Sequence, residues 1–136
     1  MLETAIKSEI ESQKMYEEFL SLDTTKEFEE KIKNIVKNEK NHEKTIRNIF
    51  ADWYPEEDPQ PVEKSVSIEG QIKSESKDLV DLLEKAIEDE RNAEGIYSEL
   101  GERMQDKPES RILQYLAFME REHSEILKDE LERLKE

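Results

Sequence analysis

The sequence holds two histidines, and each follows a glutamate by three residues: Glu39-x-x-His42 and Glu120-x-x-His123. The motifs lie 81 positions apart, and the same offset pairs Glu9 with Glu90 and Tyr16 with Tyr97. It also pairs Leu2 with Leu83, Ala5 with Ala86 and Ile6 with Ile87, with no gap needed across residues 1–50. One Glu-x-x-His in so glutamate-rich a chain means little and reads most simply as a surface pair. Two in register, with matched Glu and Tyr, point to a repeated helical hairpin. The chemistry open to these residues is metal binding. Carboxylate oxygens with imidazole suit iron or manganese better than copper, or zinc in a closed tetrahedral site. On a helix the i,i+3 spacing puts Glu and His on one face.

Four elements must position them. The first apolar set is Leu2, Ala5, Ile6, Tyr16, Phe19 and Leu20; the second is Phe28, Ile32, Ile35, Val36, Ile46, Ile49 and Phe50. The third is Leu79, Leu82, Leu83, Ala86, Ile87, Ala93 and Tyr97; the fourth is Ile112, Leu113, Leu116, Met119, Ile126, Leu127, Leu131 and Leu134. Each steps by threes and fours, which predicts a helix with one buried face. Asp23-Thr24-Thr25 links the first two helices and can cap the second. Gln105-Asp106-Lys107-Pro108 links the last two, with Pro108 as the expected first helical residue. Short links make antiparallel hairpins, here residues 1–50 and 79–136. Residues 51–78 contain WYPEEDPQP and a Ser/Lys/Glu-rich run, a poor helix. A structureless loop of this length is uncommon in a compact domain. The expectation is a crossover along the bundle, pinned by Trp53, Tyr54, Val66 and Ile68. Met104, Met119 and Phe118 are assigned to packing. The predicted fold is all-α: one domain over residues 1–136, a four-helix bundle of two hairpins joined by a long crossover.

The polar residues fall where apolar ones belong. Ile32, Ile35 and Val36 lead on the same stripe to Glu39 and His42, then Ile46. Leu116 and Met119 lead to Glu120 and His123, then Ile126 and Leu127. Leu2 and Ile6 lead to Glu9, and Leu83 and Ile87 lead to Glu90. An unpaired carboxylate in a core is very costly, so something must compensate four of them. Height agrees with convergence. The midpoint of Glu9 and Glu39 is residue 24, and that of Glu90 and Glu120 is residue 105; both lie in the hairpin turns. Each Glu therefore stands roughly 22 Å from its turn. If the hairpins pack face to face, four carboxylates and two imidazoles share one layer, and two divalent cations cancel the four negative charges. Di-iron carboxylate bundles use one Glu from each of two helices and a Glu-x-x-His from each of the others. On that pattern Glu9 and Glu90 are terminal ligands, Glu39 and Glu120 bridge, and His42 and His123 serve one metal each. Two iron ions are expected, with manganese or zinc as alternatives. Helical side chains lean toward the N-terminus, so the Tyr16 and Tyr97 phenols could reach back and hold a ligand carboxylate in place. Plain aromatic packing accounts for them equally well.

On Glu9-x6-Tyr16, Glu39-x-x-His42, Glu90-x6-Tyr97 and Glu120-x-x-His123, the chain resembles the ferritin-like di-iron proteins, specifically the rubrerythrin-like group. The resemblance covers residues 1–50 and 79–134. It implies a bundle with a long crossover, two irons, and redox chemistry with peroxide or oxygen. Rubrerythrins are associated with peroxide reduction, and ferritins with ferrous iron oxidation and storage. Typical rubrerythrins also carry a rubredoxin module with paired cysteines. This sequence has no cysteine, so a separate electron donor protein is expected. Many rubrerythrins place an extra carboxylate about one turn past the third-helix Glu. Here Ala93 stands three residues on and Glu94 four, so Glu94 reads as a polar flank and a seventh ligand stays open. No fifth helix is visible, which disfavours storage within a shell.

The remaining composition narrows partners. The net charge is −15, which argues against nucleic acid or an anionic membrane surface. Charged residues, at 42%, exceed hydrophobic ones, at 34%, a balance that leans toward disorder; the helical periodicity argues for order. No apolar run is long enough to span a membrane. The N-terminus has no signal-peptide pattern, so a cytoplasmic protein is expected. A homodimer is expected because bundles of long hairpins commonly associate, although the sequence shows no stripe that proves it. The leading expectation is a peroxide- or oxygen-reactive oxidoreductase. The alternatives are an iron-binding ferroxidase and a non-catalytic bundle that docks with a partner.

Overall fold

The computed structural model describes residues 2–59 and 79–135. They form four helices: α1 (Leu2–Leu20), α2 (Lys26–Trp53), α3 (Leu79–Arg103) and α4 (Glu109–Lys135). No strand occurs among the described residues. Thr25 caps α2: its backbone is extended and its hydroxyl oxygen accepts from the Phe28 N–H at 3.2 Å. Glu27 and Glu29 in the next turn suit the positive end of the helix dipole. Pairs such as Lys33–Glu29 and Lys85–Asp89 line the solvated faces and contribute little individually.

α1 packs against α2, α3 against α4, α1 against α3, and α2 against α4. All four contacts are antiparallel. Tyr16 meets Glu90 while Tyr97 meets Glu9, and His42 meets Glu120 while His123 meets Glu39. The diagonal helices α2 and α3 therefore run the same way. Phe50, at the end of α2, packs in one apolar cluster with Leu100 and Met104, at the end of α3. Phe28 and Ile32, near the start of α2, share the other cluster with Leu82 and Leu83. The end of α2 and the start of α3 thus lie at opposite ends of the bundle, as a long crossover requires. Val66 and Ile68 lie outside the described residues.

Some boundaries and faces differ from expectation. α2 continues through Ala51, Asp52 and Trp53 rather than stopping at Phe50. Nothing in those three residues breaks a helix; the stop comes at Tyr54, because the following Pro55 disfavours the α conformation there. Tyr54 is 45% exposed and leans on Phe50, with ring centroids 4.9 Å apart. Pro108 sits just before the first residue of α4 rather than within it. Ile112 and Phe118, assigned to the buried face and to packing, point outward at 42% and 53% exposure. The buried row of α4 is Leu113, Leu116, Glu120 and Leu127. Ile112 is one residue, about 100° of rotation, off that row.

Candidate metal centre

Two apolar clusters fill the two ends of the bundle, and a polar layer separates them. α1 contributes Glu9, α2 Glu39 and His42, α3 Glu90, and α4 Glu120 and His123. All six are buried, none more than 5% exposed. The stripe and repeat therefore located the whole layer, and the structure brings every proposed ligand into it.

The ligand atoms fall into two overlapping groups. Glu9, Glu39, His42 and Glu120 offer atoms all within 4.8 Å of one another, and so do Glu39, Glu90, Glu120 and His123. Glu39 and Glu120 belong to both groups. Glu9 and His42 belong only to one, and Glu90 and His123 only to the other. Both imidazoles turn Nδ1 inward. His42 Nδ1 is 2.9 Å from Glu120 Oε1 and 3.7 Å from both Glu9 and Glu39. His123 Nδ1 is 3.0 Å from Glu39 Oε1, 3.5 Å from Glu90 and 3.9 Å from Glu120. The rings lie nearly parallel, with centroids 6.0 Å apart.

Whether these residues fit metal ions can be tested on their orphaned atoms. Glu9 Oε2, Glu39 Oε1, Glu90 Oε2, Glu120 Oε2 and His123 Nδ1 are buried without a hydrogen-bond partner. Orphaned buried polar atoms are rare because each loses its full hydration. Here they converge, and each belongs to a type that donates a lone pair to a cation. The donor set fits.

The electrostatics show the cost of the layer without cations. Burial, then the neighbouring Glu39, pushes the Glu9 carboxyl well above the ordinary range. Burial, then Glu90 and Glu39, does the same to Glu120. Burial also opposes ionisation of Glu39, but the close approach of the His123 imidazole and the Glu9 carboxyl, with His42 nearby, brings it below its usual value. Burial pulls His42 down to about 4, against the attraction of Glu39. Burial would lower His123 too, but its contacts with Glu39 and Glu90 lift it to about 9. The layer thus favours proton binding at Glu9, Glu120 and His123, which offsets part of its negative charge.

The tyrosines hold the outer carboxylates. The Tyr16 hydroxyl donates to Glu90 Oε1 at 2.6 Å, and the Tyr97 hydroxyl donates to Glu9 Oε1. Each phenol reaches the glutamate of the facing helix rather than its own. Burial, then the charge of Glu90 or Glu9, raises both phenols well above their usual value, so they remain donors. Ligand carboxylates held in this way keep one oxygen free for a cation.

One contact was not anticipated. The Asn38 side-chain amide lies 3.3 Å from His123 Nε2, on the side of the ring away from the cluster. Its repeat counterpart is Met119, so the 81-residue offset marks the position as a break in the pattern without giving its role. Glu94 does not join the layer; it is half-buried and faces Arg121 at 3.6 Å.

A bundle of this topology with a carboxylate-shared core layer is a ferritin-like carboxylate protein. More narrowly, the rubrerythrin family model matches residues 1–131, and the chain belongs to that family. It is also similar to a solved hypothetical protein from Pyrococcus furiosus, at 27% identity and a TM-score of 0.79, over 96% of this chain and 85% of that one. No curated protein matches the chain. No helix among the described residues is long and apolar enough to cross a membrane.

Proposed function

We propose that the chain is a di-iron carboxylate oxidoreductase that reduces peroxide, with oxygen as the other candidate oxidant. The observation that carries this reading is the sharing of Glu39 and Glu120 by two ligand groups, which suits two ions side by side. Glu9 and His42 would complete one position, and Glu90 and His123 the other. A four-residue set leaves room on an ion that prefers six ligands. Four carboxylates balance two divalent charges, so the bound layer is close to neutral. Bound by these residues, two ferrous ions would supply the two electrons that, with two protons, convert hydrogen peroxide to two waters.

The protein's own part is to hold the ligands and exclude water. Tyr16 and Tyr97 fix Glu90 and Glu9, and the apolar clusters seal both ends. A site this enclosed favours a small oxidant. The sequence contains no cysteine, so these residues hold no thiol or iron–sulfur relay, and restoring electrons is assigned to a separate donor protein.

The test is anaerobic loading with Fe(II), a count of iron per chain, and addition of peroxide with a small reductant present. Two irons and repeated peroxide consumption support the reading. Oxygen-driven iron oxidation without peroxide turnover would favour a ferroxidase role, which the same ligands and the charge of −15 would also serve. A chain that takes up only redox-inert zinc would defeat both.

A further inference from the structure

α4 carries an exposed row whose order of residue types is its own complement. Arg111, Tyr115, Phe118 and Glu122 step by four, three and four, so they fall within about 60° of one another on the helix. All four are exposed, Tyr115 at 57% and Phe118 at 53%, and Ile112 flanks the row at 42%. These three are the large apolar side chains that α4 leaves in water. Neither Arg111 nor Glu122 has an ion-pair partner among the described residues.

The repeat provides an internal control. The row 81 positions earlier, on α2, reads Glu30, Asn34, Lys37 and Asn41. The equivalent face of the first hairpin thus folds with a wholly polar row. The bundle does not need aromatic residues there, so their presence on α4 points to something outside the protomer. Aligned exposed apolar side chains mark association surfaces.

We propose that this row joins two copies of the chain, α4 against α4, in antiparallel order about a two-fold axis. Such an interface places the same patch on both partners. With the axis between Tyr115 and Phe118, Tyr115 faces the second copy's aromatic position and Arg111 faces its acidic one. The basic end of one row then meets the acidic end of the other, at both ends at once. A parallel arrangement would set arginine beside arginine and glutamate beside glutamate. A large unrelated partner would not require this internal symmetry. The inference rests on α4 alone and stands whether or not the core layer binds iron.

The experiment is light scattering after gel filtration, and sedimentation equilibrium, on the full chain. A dimer is expected. Phe118→Glu with Tyr115→Glu, which sets acid against acid twice, should give a monomer with unchanged helical circular dichroism, since neither side chain is part of the core. Arg111→Glu and Glu122→Arg should each weaken self-association roughly tenfold or more, because each sets like charges against each other twice. Mixing the two single variants should restore a dimer, because every facing pair is then opposite in sign. A monomeric parent chain would overturn the proposal. So would a dimer that survives the double aromatic variant. Failure of the mixture to associate would overturn the antiparallel register.

Discussion

His123 Nε2 lies 3.3 Å from the Asn38 amide, whereas no hydrogen-bond partner meets His42 Nε2 among the described residues. The two imidazoles of the repeat are therefore held differently. When Nδ1 of His123 faces a cation, its proton sits on Nε2 and is donated to the Asn38 carbonyl oxygen, which requires the amide to turn that oxygen toward the ring. Asn38→Leu should weaken the His123-side position about tenfold to a hundredfold and leave the His42 side nearly unchanged. Stepwise Co(II) titration by calorimetry would resolve the two. Equal loss at both positions would contradict the assignment.

The shared carboxylates should differ in consequence from the unshared ones. Glu39→Gln or Glu120→Gln should remove both ions, while Glu9→Gln or Glu90→Gln should leave one. Metal analysis after dialysis reads the difference directly. Two ions retained by Glu120→Gln would rule out its bridging position.

The same substitutions should act in the opposite sense on the metal-free chain. Glu9 and Glu120 are carboxyls whose ionisation burial and the neighbouring carboxylates oppose. A neutral amide removes that cost, so Glu9→Gln and Glu120→Gln should raise the stability of the metal-free protein at mildly alkaline pH by about 1–3 kcal/mol. Urea unfolding in the presence of a chelator measures it. Destabilisation by both variants would refute this account of the layer.

Tyr16→Phe and Tyr97→Phe each delete one hydrogen bond from a buried carboxylate while keeping the ring. Each should weaken metal binding about tenfold to a hundredfold, at the position whose outer Glu it holds. Tyr97→Phe should affect the His42 side through Glu9, and Tyr16→Phe the His123 side through Glu90. This crossed pattern is the diagnostic readout, because loss of packing alone would show no such pairing.

The pH dependence of the metal-free chain has a definite sign. His123 titrates at about 9 in the fold and near 6.5 when unfolded, so its contribution is complete below 6.5 and is lost as pH rises through 9. Glu9 and Glu120, also raised, act in the same direction. His42, lowered to about 4, acts oppositely: its stability is lost as pH falls from 6.5 to 4. Glu39, also lowered, adds to the acid-side loss. The metal-free protein should therefore weaken on the alkaline side, between pH 6.5 and 9. Metal loading in that window should release protons and tighten as pH rises. Chelator-treated and loaded samples compared by thermal unfolding should diverge as pH increases.

The layer was legible in the sequence because the repeat gave it twice and the helical period put its charged residues on an apolar face. Glu39 and His42 between Val36 and Ile46 could only be core residues, and a core cannot hold them uncompensated. The link from Tyr16 to Glu90 was less legible. Residue spacing gives height and face on one helix, but the choice between its own glutamate and the facing one depends on how α1 and α3 pack. Asn38 was missed for the same reason: its partner lies on α4, 85 residues away. Ile112 and Phe118 were misplaced because α4 has apolar residues on two faces, and periodicity alone does not tell a core from an interface.

Neither hairpin owns a complete position. The His42 side takes three residues from the first hairpin and Glu120 from the second; the His123 side takes three from the second and Glu39 from the first. The layer is sealed by apolar residues above and below. With its six residues buried and drawn from both hairpins, the layer should release a bound ion when the hairpins part rather than by exchanging one ligand for water at the surface. Metal escape then becomes a clock for that opening, and its rate should follow the slow amide hydrogen exchange of residues flanking the layer rather than the intrinsic lability of the ion.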